Sequence, residues 1–108
     1  MFPASAFAFT KALPFCIEMI PAAHNKGTAL TAVLKYMSAV SGETIKPENV
    51  IAFGDGDNDV SMFHVAGMSV AMGNAMDCAK NAATWVTESN DDGGVGRFLE
   101  RVFWPVEN

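Results

Sequence analysis

The stretch Val50 to Phe63, VIAFGDGDNDVSMF, decides the fold. Val50-Ile51-Ala52-Phe53 is an apolar run without alternation, the pattern of a short strand buried on both faces of a parallel sheet. It delivers Asp55 just past its carboxyl end, where open α/β sheets bind their ligands. Gly54 and Gly56 let the backbone turn tightly around that residue. Asp55, Asp57 and Asp59 put three carboxylates within five residues. Such charges repel one another unless water or a cation neutralises them, and hard oxygen donors of this kind suit Mg²⁺. The competing reading is a solvated acidic turn with Asp57 at the amino terminus of the next helix. The buried strand and the flanking glycines weigh against it.

Two rival motifs fail on residue identity. An EF-hand loop starting at Asp55 needs Gly at its sixth position and Glu at its twelfth, where Val60 and Ala66 stand. A dinucleotide fingerprint starting at Gly54 needs a sixth-position glycine, where Asp59 stands and would repel a pyrophosphate.

Working outward, Asp57 to about Ala66 reads as a helix stopped by Gly67, and Met68 to Ala71 as a second buried strand. Asn74 is placed to cap a third helix through about Ala83, and Trp85-Val86 reads as a third strand. The polar loop Ser89 to Gly94 precedes a last helix with Val95, Phe98, Leu99 and Val102 on one face. Upstream, Asn25 caps a helix whose Leu30, Val33, Leu34 and Met37 form an apolar face, and Ser41-Gly42 ends it. Residues 15–20 (FCIEMI) read as a short strand ending at Pro21. Residues 1–14, with two prolines and no periodicity, read as a poorly specified leader. Strand and helix alternate from residue 50 onward, so the class is α/β with a parallel sheet.

Composition sets the outer bounds. The chain has 108 residues, half of them hydrophobic, which is one globular domain's worth. Its net charge of −5 with no basic stripe argues against nucleic acid and anionic membrane as partners. Cys16 and Cys78 form neither a CxxC pair nor a zinc spacing, and both are expected to be buried thiols. No apolar run reaches the roughly 20 residues that span a bilayer. The apolar amino-terminal stretch lacks a basic region and is broken by Lys11 and Glu18, so the cytoplasm is the expected compartment.

A second feature is His24-Asn25-Lys26-Gly27-Thr28 at a helix start. A lysine beside free helix N–H groups makes an anion site. Alone it reads as plain surface; it gains weight from the acidic strand end downstream, since a cation and a carboxylate-bound metal together clamp a phosphoryl group. His24 and His64 read as surface or half-exposed residues, the seven methionines as gap-fillers, and Trp85 and Trp104 as packing residues.

Four segments, NKGTAL (25–30), VIAFGDGDNDVSMF (50–63), AGMSVAMGNA (66–75) and SNDDGGV (89–95), resemble in order the carboxyl-terminal part of haloacid-dehalogenase-like (HAD) phosphatases, Cof-type sugar-phosphatase-like branch. The resemblance implies a Rossmann-like parallel sheet, over residues 15–108, as the second half of such a core. It implies a Mg²⁺-dependent phosphohydrolase acting on a small phosphorylated metabolite through an aspartyl-phosphate. Lys26 matches the lysine that pairs with nucleophile and phosphate, and Asp55 the metal-binding acid. Asn58 and Asp59 match the positions that complete the phosphate and metal surroundings; Asp59 shares the metal and the catalytic centre, and Asp57 is accessory. The family's nucleophile lies in an amino-terminal DxD motif, and no aspartate precedes Asp55. The chain is therefore expected to be inactive alone, and to associate with itself or a complementing chain through an exposed sheet edge. A non-catalytic module acting by association is the alternative, and a receiver-like acidic pocket a weaker one.

Overall fold

The computed structural model describes residues 7–13, 16–21 and 25–104. Its centre is a parallel sheet of β3 (Ile51–Gly54), β4 (Met68–Ala71) and β5 (Trp85–Val86), in the order β3-β4-β5. Register pairs Ala52 with Ser69, Phe53 with Val70 and Gly54 with Ala71, then Val70 with Trp85. Ahead of it, β1 (Phe7–Leu13) and β2 (Cys16–Pro21) form a separate antiparallel hairpin. The helices are α1 (Lys26–Ser41), α2 (Val60–Val65), α3 (Asp77–Ala82) and α4 (Gly94–Phe103).

Alternation along the strands sends side chains to two faces. Ala52 and Ala71 point to the face covered by α2 and α3, where they pack with Phe63, Ala75 and Ala79. These small residues let the helices lie close to the sheet. Phe53 and Val70 belong to the opposite face. There Phe53 meets Phe98 of α4 edge-to-face, with ring centroids 5.7 Å apart, a favoured aromatic geometry. β4 has a neighbour on each side and is the best-buried strand, with Val70 and Ala71 fully enclosed. β3 pairs with β4 alone among the described residues. Of its residues only Ala52 is buried, so the expectation of burial on both faces holds for β4 and not for β3.

Local chemistry explains the helix ends. Asn25 caps α1 with a complete capping box: its Oδ1 accepts from the Thr28 N–H at 2.8 Å, and Thr28 Oγ1 accepts from the Asn25 N–H at 3.0 Å. Gly42 closes the helix in the left-handed region, φ 77°, where a Cβ would be strained. α2 is shorter than the sequence suggests, because Asp57–Asp59 form a separate 3₁₀ turn before it. α3 begins at Asp77 with Met76 as its cap residue, so Asn74 does not cap it.

Other expectations need correction. The stretch read as a leader supplies β1, whose Phe and Thr content favours strand once a partner is available. Cys78, expected to be a buried thiol, is free and exposed; Cys16 lies in β2, and its side chain is outside the described residues. Trp85 and Trp104 are 54% and 69% exposed, and Trp104 meets only the neighbouring Phe103 ring among the aromatic contacts of the described residues, at 5.9 Å. On α1 Leu34 is buried, but Val33 and Met37 of the same predicted face are about half exposed. His64 is exposed, in line with its reading as a surface or half-exposed residue, and His24 falls outside the described residues.

α1 rests on α2 through its first turn. The Gly27 N–H donates to Ser61 Oγ at 3.1 Å, and a Cβ at Gly27 would stand 2.6 Å from the Ser61 carbonyl oxygen. A Gly27→Ala chain is expected to lose about 1–3 kcal/mol of stability to overpacking. Gly96, in the first turn of α4, has nothing within 4 Å of its would-be Cβ. Gly96→Ala is expected to gain about 0.5–1 kcal/mol instead. Urea melts of both variants check this opposition of signs, and equal shifts would contradict the contact.

Candidate functional site

The carboxyl ends of β3, β4 and β5 each lead into a loop, and the first of these carries the acidic run. Its organiser is Asp59. Although ionic, its side chain is only 5% exposed. Oδ1 accepts from Lys26 Nζ at 2.5 Å. Oδ2 accepts from two backbone N–H groups, Asp55 at 2.9 Å and Gly56 at 3.1 Å. One carboxylate thus ties the start of α1 to the turn that presents Asp55, across 33 residues of sequence. Gly54 makes room for it: a Cβ there would lie 2.5 Å from Asp59 Cγ.

Burial works against ionising Asp59. The hydrogen bond from Lys26 and those from the Asp55 and Gly56 amides outweigh it, and the carboxyl lies below its ordinary 3.8. Lys26 remains about half exposed. An ammonium has three donors, and the contact with Asp59 engages one of them, so the lysine can hold an anion while Asp59 fixes its position.

The four residues singled out from sequence are brought together unequally. Lys26 and Asp59 touch. Asp55 shares Asp59 through its backbone and keeps an exposed carboxylate. Asn58 sits half-buried in the Asp57–Asp59 turn. As a test of fit to Mg²⁺, Asp55 offers an exposed hard oxygen donor. Both oxygens of Asp59 are already engaged, one by an ammonium. Among the described residues, no group of three or more His, Cys, Asp or Glu side chains converges as a metal cage. The donor set fits an ion held through a single carboxylate with most of its waters kept, which is ordinary for Mg²⁺.

Two residues that sequence reasoning left without a role in the site join it. Asn74, after β4, accepts the Asn90 N–H on Oδ1 at 2.9 Å, and Asn90 Nδ2 reaches Asp55 Oδ2 at 3.4 Å. Position in the AGMSVAMGNA and SNDDGGV segments was the available signal, but neither segment says where its side chains turn.

A family model for haloacid dehalogenase-like hydrolases matches residues 2–99. The chain belongs to that family. An uncharacterized hydrolase of Schizosaccharomyces pombe is 50% identical over 103 residues, covering 94% of this chain and 33% of its own length. The 5-amino-6-(5-phospho-D-ribitylamino)uracil phosphatase YwtE of Bacillus subtilis is 43% identical over 86 residues, 80% of this chain and 28% of its own. Among solved structures, the HAD subclass IIB sugar phosphatase BT4131 superposes with a TM-score of 0.78 at 27% identity, covering 89% of this chain and 35% of that one. The chain spans about a third of the length of the curated relatives it matches. The resemblance read from the four segments and the Rossmann-like parallel sheet are thereby shown.

The depressed Asp59 pKa has a consequence for stability. Its contribution is fully present above the unfolded value near 3.8 and is lost as pH falls through the lower folded value. Asp59→Asn is therefore expected to cost about 1–3 kcal/mol at neutral pH. The gap to wild type should close in acid below 3.8. In Lys26→Met the largest favourable contact is gone, and the acid limb should begin at higher pH. Urea midpoints measured across pH check both, and a gap that does not change with pH would contradict the ionic role.

Proposed function

We propose that this chain carries the lysine and metal-binding half of a Mg²⁺-dependent phosphohydrolase acting on small phosphate esters, sugar phosphates foremost. The observation that supports it best is the shared Asp59 carboxylate, which sets a half-exposed ammonium and an exposed carboxylate at one end of the sheet. On this reading Lys26 takes a phosphoryl oxygen with the donors Asp59 leaves free. Asp55 supplies the oxygen that holds the metal. Asn58 borders the phosphate, and Asp59 keeps both partners in place and adds its charge to the metal's surroundings. Bound there, Mg²⁺ supplies Lewis-acid polarisation of the phosphoryl group. Relatives named as phosphatases and a neighbour named as a sugar phosphatase support the substrate class. The cytoplasm is the compartment that suits this reading and the free thiol of Cys78.

The nucleophile is not among these residues. Lys26 and Asp55 provide electrostatics alone, and no aspartate precedes Asp55 in the 108 residues. The chain by itself is expected to release no p-nitrophenol from p-nitrophenyl phosphate with Mg²⁺ above buffer. Turnover that disappears in Asp55→Asn would overturn the half-site reading.

Association is the second part of the proposal. β3 has an open edge among the described residues, and Tyr36 and Val40 of α1 are each 70% exposed. An unpaired strand beside apolar surface recruits another strand. The relatives, about three times as long, have further chain that could supply one. The net charge of −5 opposes self-association weakly, being screened beyond about 8–10 Å at physiological salt. Light scattering of the 108-residue chain is expected to show dimers or larger species growing with concentration. A monodisperse monomer that unfolds in one steep step would count against it.

A further inference from the structure

We propose that Asn90 is a positioning residue for the Asp55 carboxylate, and that Asn74 holds Asn90 in place to do it. The inference deepens the proposed metal role of Asp55 and rests on it for its functional meaning. The three loops at the carboxyl ends of β3, β4 and β5 are laced in sequence. Asn74 Oδ1 accepts the Asn90 N–H at 2.9 Å, and Asn90 Nδ2 donates to Asp55 Oδ2 at 3.4 Å. Chemistry fixes both amide orientations, since Asn74 meets an N–H and Asn90 meets a carboxylate. The backbones are bound as well. The Met76 N–H donates to the Asp55 carbonyl at 2.8 Å, and the Gly73 N–H to the Glu88 carbonyl at 3.1 Å.

The loop bearing Asn90 is anchored from its far side. Arg101 of α4 grips Glu88 with both ends of its guanidinium, at 2.6 and 3.0 Å. Thr87 Oγ1 accepts from Arg101 Nη2 at 3.2 Å and donates its one proton to Glu88 Oε2 at 2.8 Å. Hydrogen bonds from Arg101 and then Thr87 hold the Glu88 carboxyl down to about 2, so this anchor stays charged at every physiological pH. A side chain delivered by so many fixed points can select one orientation of an exposed carboxylate. A metal bound through a single carboxylate depends on that orientation, as metal sites do on the partners behind their ligands.

The test uses the labelled 108-residue chain with Asn90→Ala, Asn74→Ala and Asn74→Asp. Asn74→Asp keeps the acceptor and serves as the rescue. Three-bond couplings report the Asp55 χ1 rotamer, hydrogen exchange reports the Asn90 amide, and titration with Mg²⁺ alone reports affinity. Wild type and Asn74→Asp are expected to show one rotamer and a protected Asn90 amide. Asn74→Ala should lose both, and Asn90→Ala should average the rotamer; both should weaken Mg²⁺ binding roughly tenfold. A single Asp55 rotamer retained in Asn90→Ala overturns the inference. Rotamer averaging with unchanged Mg²⁺ affinity upholds the positioning and removes the metal role from Asp55, so the two failures are told apart.

Discussion

Asp59 holds a negative charge where solvent scarcely reaches it, and the site is arranged around keeping that charge satisfied. A buried carboxylate needs its lone pairs engaged. Here one oxygen takes an ammonium and the other takes two backbone N–H groups. The ammonium belongs to the start of α1, and the two N–H groups belong to neighbouring residues of the turn after β3. Ionisation therefore fixes where α1 begins relative to β3, and how the turn after β3 folds back on itself. Replacing either partner changes more than one contact, because Lys26 and the Asp55 turn are positioned through the same group.

Close approach makes that geometry attainable. Gly54 lets the Asp59 side chain lie against the strand end, and Gly27 lets the first turn of α1 sit on the Ser61 carbonyl. The alanine-rich face of β3 and β4 brings α2 and α3 near the sheet in the same way. The result is a site whose polar parts come from loops but whose spacing is set by the packing beneath them.

Much of this is readable in the sequence, because it depends on neighbours along the chain. The apolar runs at 50–53 and 68–71 mark the strands, the first shifted by one residue to Ile51–Gly54, Asn25 gives a cap through Thr28 three residues on, and Gly42 gives a helix end. What escapes is set at longer range. Asn74 looks like a helix cap by position, yet its oxygen goes to a backbone N–H 16 residues away; Asn90 reaches back 35 residues to Asp55. Neither partner is implied by local spacing. The strand at Phe7–Leu13 is likewise defined by its pairing with Cys16–Pro21, which the prolines around it obscure. On α1 the period predicts which residues share a face but not whether anything covers it, and Val33 and Met37 remain half exposed.

Charge balance accounts for why such a site would need a metal to do phosphate chemistry. Asp55 and Asp59 bring two negative charges to the end of β3, and Lys26 brings one positive charge that is already paired with Asp59, which leaves the exposed Asp55 carboxylate facing any anion. A phosphate ester approaching this loop meets an excess of like charge, and a lysine hydrogen bond alone does not reverse the sign. A divalent cation on Asp55 would, and would leave Lys26 to complement it from the side of α1. The arrangement is then strongest as two poles separated by a fixed carboxylate. Asp59 holds the ammonium on its own Oδ1, while the Asp55 carboxylate stays exposed.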